Sequence, residues 1–189
     1  MLNVALKEWA IVCDLLLEGE LALLLRKGGI HERGGPGVFE MEHNRFALFP
    51  SWAHQKPDMI KPQWRDRVQV MDEPDELTFH GFGEAARIWQ VPSREAFDQL
   101  DNLHCWTEPQ IDMRFSYKPE RPLYLVAVRA YRLAESKTVT MHWRYSGCKS
   151  WVPLEEGHSV EDDGATAALS DDRFTEVIKR VEQTFASGV

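Results

Sequence analysis

The sequence predicts an α+β domain, a small curved sheet of mostly antiparallel or mixed strands with helices at both chain ends. Three observations carry this. Apolar side chains recur at helical spacing near each end, at Leu6, Trp9, Ala10, Cys13, Leu16 and Leu17, and again at Phe174, Val177, Ile178, Val181 and Phe185. The middle of the chain holds β-rich runs. The strongest is Leu123–Leu133, whose near-continuous apolar character is that of a strand buried on both faces. These runs do not alternate regularly with helical segments, which excludes a doubly wound parallel fold.

In chain order, residues 4–18 read as the first helix, with Gly19 as its stop. Leu21–Arg26 reads as a short buried strand, followed by a flexible loop marked by Gly28, Gly29 and the glycines of 34–37. Arg45–Phe49 reads as a strand closed by Pro50. Residues 50–76 carry four prolines and read as a long ordered loop with one helical turn near Pro57–Ile60; loops of that length inside a domain are often functional. Leu77–Gln90 is β-rich but interrupted by Gly81 and Gly83, the pattern of a bulged strand. Ser93 is placed to cap a helix whose apolar face is Ala96, Phe97, Leu100 and Leu103. Residues 104–120 read as loop. A turn at Ala134–Ser136 would then join Leu123–Leu133 to a partner strand, Lys137–Arg144. Residues 157–169 read as a mobile acidic connector. Ser170 or Asp171 caps the last helix, whose early aspartates and later Lys179 and Arg180 complement its dipole. The expected order is α-β-β-β-α-β-β-α in one domain spanning 1–189.

A chain of 189 residues can bury roughly 70% of its unfolded surface and needs no covalent staple. Its longest apolar stretches, Leu21–Leu25 and Leu123–Val128, are too short to span a membrane. The N-terminus lacks the pattern of a secretory signal. Cys13, Cys105 and Cys148 are odd in number and widely spaced, which fits neither a disulfide framework nor a zinc knuckle. A reducing cytoplasm is the expected location.

The net charge is −8, and its distribution is uneven. Residues 71–112 hold ten acids and two bases, 114–149 hold eight bases and two acids, and 155–189 hold nine acids and three bases. One basic segment therefore lies between two acidic ones. It either meets an anionic partner or is covered by the acidic segments in the fold.

Phosphate-cradling glycine loops and a G-x-S-x-G nucleophile elbow are absent. Arg26-Lys27-Gly28-Gly29 follows a strand and can offer cations and backbone N–H groups to an anion, or serve as a structural turn. Pro119-Glu120 with Glu135-Ser136-Lys137 has the spacing of a nuclease motif, but the second half falls in the expected turn, outside the strand context such sites need. His31, Glu32, Glu40, Glu42, His43 and His54 are candidate ligands for zinc or another divalent metal, although they match no ligand ladder. A second cluster joins His104, Trp106, Arg114, Arg129, Arg132, His142 and Arg144. Arg129 and Arg132 point to opposite strand faces, so one of them turns inward and needs a carboxylate or a bound anion. Neighbouring aromatic rings can stack bases or simply pack a core.

Lys7-Glu8-Trp9-Ala10 and Leu24-Leu25-Arg26-Lys27-Gly28-Gly29-Ile30-His31-Glu32 resemble the opening of an uncharacterised bacterial family, domain of unknown function 1802. Phe46, Leu48, Pro50, His54-Gln55 and Pro57 are similar to its middle block. Pro122-Leu123, Arg129, Tyr131-Arg132-Leu133 and Gly147-Cys148-Lys149-Ser150-Trp151 are similar to its later ones. The resemblance covers about residues 4–155 and brings no assigned catalytic residue. It implies an association with restriction–modification or other DNA-linked work. The first expectation is therefore a nucleic-acid-associated accessory module, binding DNA or RNA without a cofactor. Its candidate surface is Arg26, Lys27, Arg114, Arg129, Arg132, Arg144 and Lys149, with Trp106 and Trp143 as stacking groups. The second is a hydrolase using a divalent metal held by His31, His43 and His54, with Glu32 or Glu42 as base. The third is a protein-interaction or small-molecule-sensing domain.

Overall fold

The computed structural model describes residues 1–27, 42–147 and 149–187. It has an α+β architecture built on one curled, mixed sheet of seven strands. The strands are β1 (Val4–Trp9), β2 (Leu23–Lys27), β3 (Arg45–Ser51), β4 (Glu76–Gln90), β5 (Leu123–Thr140), β6 (Trp151–Pro153) and β7 (Thr166–Ala167). Their order is β2-β5-β4-β3-β1-β6, with β7 added to β5. β1 and β3 run parallel, and the other pairs are antiparallel. The helices are α1 (Ala10–Glu18), α2 (Pro62–Arg65), α3 (Arg94–Asp98), α4 (Glu108–Ser116) and α5 (Asp171–Ser187). One apolar cluster lies between the sheet and α1, α3 and α5; the other includes Phe49, Phe79, Phe82 and Tyr145.

Several elements differ from the sequence reading. Residues 4–18 are a strand and then a helix. The chain turns at Trp9, and α1 begins with no side-chain cap from its own preceding residue. Its first-turn donor, Ile11 N–H, is satisfied by Gln55 Oε1 at 3.0 Å. Leu123–Thr140 is one strand, not a hairpin. Its partner is β4, and the expected turn at 134–136 is an outward bulge, where pairing jumps from Phe79↔Lys137 to Gly81↔Arg132. Residues 104–120 contain α4, which the segment's weak apolar pattern concealed. Pro50 lies inside β3 rather than closing it. Pairing of β3 with β4 stops at Ala47, so the missing N–H of Pro50 costs no ladder bond on that side. The helical turn at Pro57–Met59, the bulged β4, the Ser93 cap on Ala96 N–H at 3.1 Å and the buried stripe of α5 match expectation.

Gly81 and Gly83 let β4 be covered closely. A Cβ on Gly81 would stand 2.1 Å from Leu17 Cδ2 and 2.4 Å from the Tyr131 carbonyl oxygen. A Cβ on Gly83 would stand 2.6 Å from Val128 Cγ1 and 2.9 Å from the Phe46 ring. The segment before α5 is tied to the N-terminal strand region: Val160 is fully buried and exchanges hydrogen bonds with Leu2 at 2.8 and 3.0 Å. Asp162 pairs with Arg45 at 2.9 Å.

His104 follows the turn 101–103 and stacks on Phe97 at 4.9 Å. Its Nδ1 accepts the Trp106 N–H at 3.2 Å, while Nε2 has no hydrogen-bond partner. Burial, reinforced by Lys61 and opposed by Asp101, lowers its pKa to about 4. The unfolded chain thus binds the extra proton first as pH falls. Stability from this residue is full above about pH 6.5 and is lost as pH drops towards 4, by about 3 kcal/mol on the usual linkage. Urea unfolding of the wild type against His104→Gln between pH 7 and 4 measures it; parallel curves would refute it. Gly81→Ala should cost about 1–3 kcal/mol from overpacking against Leu17, and an unchanged urea midpoint would contradict the close approach.

Candidate nucleic-acid interface

The predicted basic residues fall into three separate groups. In the first, Arg26 pairs with the buried carboxylate of Glu8 at 3.3 Å and donates to the Lys7 carbonyl at 3.1 Å. Lys27 Nζ donates to the carbonyls of Arg114 and Phe115 at 2.8 and 2.9 Å, closing the C-terminal end of α4. Burial pulls the Arg114 guanidinium below its usual value, with Glu8 opposing the shift and Arg26 adding to it. Trp106 is buried edge-on against Trp9, with ring centres 5.3 Å apart.

The second group lies on β5. Arg129 pairs with Asp171 at the start of α5 and lies over the rings of Tyr131 and Phe174 at 5.8 and 5.6 Å. Arg132 donates to the Leu17 carbonyl at 2.8 Å and reaches the Ala167 carbonyl at 3.4 Å. It therefore closes the C-terminal end of α1. Arg129 is half-buried and meets a carboxylate, whereas Arg132 is exposed and meets a helix end, so neither is sunk in the core.

The third group is the most open. Trp143 is 73% exposed, and the Arg144 guanidinium lies over its ring at 5.2 Å. Arg144 also meets Glu155 at 3.1 Å, and Lys149 Nζ donates to the Arg144 carbonyl at 3.1 Å.

Of the candidate metal ligands, His31 and Glu32 lie outside the described residues, as does Glu40. His43 packs edge-on against Trp151 at 5.2 Å, whereas His54 lines a cavity with Lys149 of the third basic group. Among the described residues, no group of three or more His, Cys, Asp or Glu side chains is placed to hold a metal ion. Glu120 and Glu135 sit before β5 and deep within it, so they do not converge as a nuclease pair.

That cavity, about 300 Å³, opens where β1 and β3 end. Lys7 and Phe49 are register partners on these parallel strands, and Lys7 Nζ stands 4.8 Å from the Phe49 ring centre. Lys7 also donates to the Tyr145 carbonyl, and at 3.3 Å to that of Gly147. Tyr145 is fixed against Phe49 at 5.8 Å, and its hydroxyl is shared with His158 Nδ1 at 2.6 Å. On the β3 side, Ser51 Oγ–H and Ala53 N–H donate to Glu73 Oε1 at 2.5 and 3.2 Å. Sequence reasoning named Lys149 and His54 but missed Lys7, Ser51 and Glu73. Their only signal was membership of the long proline-rich loop and of the Lys7-Glu8-Trp9-Ala10 block.

Two other crevices are present, one without an aromatic ring on its lining and one with Trp52 and His80 on it. The largest, about 870 Å³, separates α5 from the α1–β2 turn and is lined by charges of both signs, including Glu20, Asp172, Arg173 and Lys179, with no aromatic wall. The other, about 330 Å³, lies over Asp14, Arg67 and His80. Among the described residues, no helix is long and apolar enough to cross a membrane.

A family model matches residues 5–180. The chain belongs to the family described as Domain of unknown function (DUF1802). No protein with a curated description matches this DUF1802 chain. A solved structure similar to it is that of a mutant of the ZmASCH protein from Zymomonas mobilis, with 10% identity, covering 81% of this chain and 90% of that one, at a TM-score of 0.46.

Arg132→Met would leave the Leu17 carbonyl without its charged donor. The expected loss is about 1.5–3 kcal/mol of unfolding free energy, read from urea denaturation; an unaltered midpoint would mean that water replaces the guanidinium there.

Proposed function

We propose that this DUF1802 domain is a nucleic-acid-associated module that holds a single strand, stacking a base on Trp143. What supports the reading is the exposed Trp143 ring beneath Arg144, close along the chain to Met141 and Tyr145 on a cavity that Lys7 and Lys149 also line. An exposed aromatic ring beside cations is the arrangement that holds unpaired bases, because every base has a π-face to stack. Lys27, Arg129 and Arg132 are engaged with helix ends and Asp171. That disposition favours a local platform over a continuous track along duplex phosphates. A DNA-linked defence setting is the context we propose on the family resemblance alone.

The test is fluorescence anisotropy of labelled single-stranded DNA, RNA and duplex DNA at two salt concentrations, with EDTA present. Single strands should bind in the micromolar range and weaken with salt through counterion release. Trp143→Ala should reduce affinity about tenfold, as loss of one stacked base does. Salt-independent binding, or an affinity unmoved by Trp143→Ala, would overturn the reading. Binding that appears only when EDTA is replaced by Zn²⁺ or Mn²⁺ would instead favour the metal-dependent reading of His31, His43, His54, Glu32 and Glu42.

A further inference from the structure

The cavity lined by Tyr145 and Lys149 gathers polar groups that brace the surrounding backbone and, at Glu73 and Lys149, keep hydrogen-bonding capacity beyond that role. Glu73 is exposed at its edge, yet its carboxylate is oriented by three donors: Ser51 Oγ–H, Ala53 N–H and, at 3.5 Å, Trp52 N–H. Two of these converge on Oε1. Oε2 receives only the long contact from Trp52, which leaves it acceptor capacity, since a carboxylate offers about four lone-pair sites. Among the described residues no cation pairs with Glu73. Lys149 enters from the segment that follows Tyr145 and uses one bond on the Arg144 carbonyl, whereas an ammonium carries three donors. Phe49 and Tyr145 are fully buried beneath the cavity, the half-buried Trp9 and Met141 are apolar parts of its lining, and Lys7 adds positive charge over Phe49. His54, on the same lining, holds a left-handed backbone with φ of 65°, a conformation that non-glycine residues adopt at a cost and that gathers at ligand sites.

A fixed acceptor and a cationic donor on the lining of one cavity that also holds Trp9 complement a ring that presents an amino group and a carbonyl together. A volume of about 300 Å³ is at the small end of ligand pockets, which suits one base with its sugar. We propose that this cavity is a nucleobase pocket selective for cytosine or guanine, with Glu73 accepting from the amino group and Lys149 donating to the carbonyl. Carboxylates accept from the cytosine amino group in known base readout. Adenine has no carbonyl, and uracil and thymine have no amino group, so each leaves one of the two protein groups unmatched. The inference rests on the single-strand reading for how a base is delivered, but the pocket can be tested without a strand.

Two assays separate the levels. The first measures anisotropy of thymidine 12-mers carrying one central C, G, A or T, with wild type, Glu73→Gln and Lys149→Met. The second measures saturation-transfer NMR of free cytidine, guanosine, adenosine and uridine with the same proteins. Glu73 and Lys149 are exposed, and matching thermal melts would confirm that the variants fold. A central C or G should raise affinity at least fivefold over T, and Glu73→Gln should level the series. Free cytidine or guanosine should give a transfer signal that Glu73→Gln abolishes. Strand binding that depends on Trp143 but ignores the central base, with no Glu73-dependent nucleoside signal, would overturn the pocket and leave the single-strand reading standing. A Glu73-dependent nucleoside signal without strand binding would do the reverse. Absence of both would overturn both.

Discussion

Leu123–Thr140 is hydrogen-bonded along both edges, and the other strands take their places from it directly or through a neighbour. One edge carries the long ladder to β4; the other is shared in tandem, β2 pairing with 123–127 and β7 with 131–132. Two interruptions curl this ladder. Residues 133–136 bulge out of β5 opposite His80, whose Nδ1 meets Ser136 Oγ at 3.0 Å, and β4 carries an extra residue between Ala85 and Arg87. Bulges of this kind bend a strand and increase its twist. The bend brings Gly81 under the end of α1, where only hydrogen can fit between the strand and Leu17. Without that curl the sheet could not wrap two apolar clusters, one on each face.

The basic residues matter first to this construction. α1 ends on Gly19, whose φ of 78° and N–H bonds to Leu15 and Leu16 close the helix in the left-handed manner. Arg132 adds a charge-assisted bond to the Leu17 carbonyl from β5, and Lys27 does the same for α4 from β2. Cations at helix C-termini oppose the negative end of the dipole as well as satisfying orphan carbonyls. Between residues 114 and 149, Arg132 is engaged with a helix end, Arg129 with Asp171 and Arg144 with Glu155, in contacts made at the surface of the fold. The segment around Trp143 and Lys149 is where cationic groups stand beside open aromatic surface.

What could be read in the chain depended on whether the physical cause was local. The α5 stripe, the Ser93 cap, the bulged β4 and the proline turn at 57–59 each carry their signal within a few residues, and each was legible. The boundary between β1 and α1 was not, because its cap is Gln55, distant in sequence by 44 residues. A helix start with no local acceptor looks like the middle of a longer helix. The extent of β5 was hidden for a related reason. Polar residues Glu135, Ser136 and Lys137 resemble a turn, and only the presence of β4 alongside converts them into a bulge. α4 has too weak an apolar face to announce itself, since two buried residues, Gln110 and Ile111, suffice to seat it.

The cavity was illegible for a deeper reason. Lys7, Ser51, Glu73 and Lys149 come from four distant segments, and no spacing rule joins them. They meet because β1 and β3 run parallel and end together, with Trp9 opposite Ser51. Where parallel strands end, the loops that follow diverge and leave a crevice. Here the end of β3 and the loop after it supply Ser51, Ala53 and, through them, Glu73; the segment before β6 supplies Tyr145 and Lys149 from the other edge of β1. β1 is the one strand flanked by both, so Lys7 at its end is bonded to one group through Tyr145 and stacked on the other through Phe49. The same strand order that builds the sheet therefore determines which side chains share the cavity.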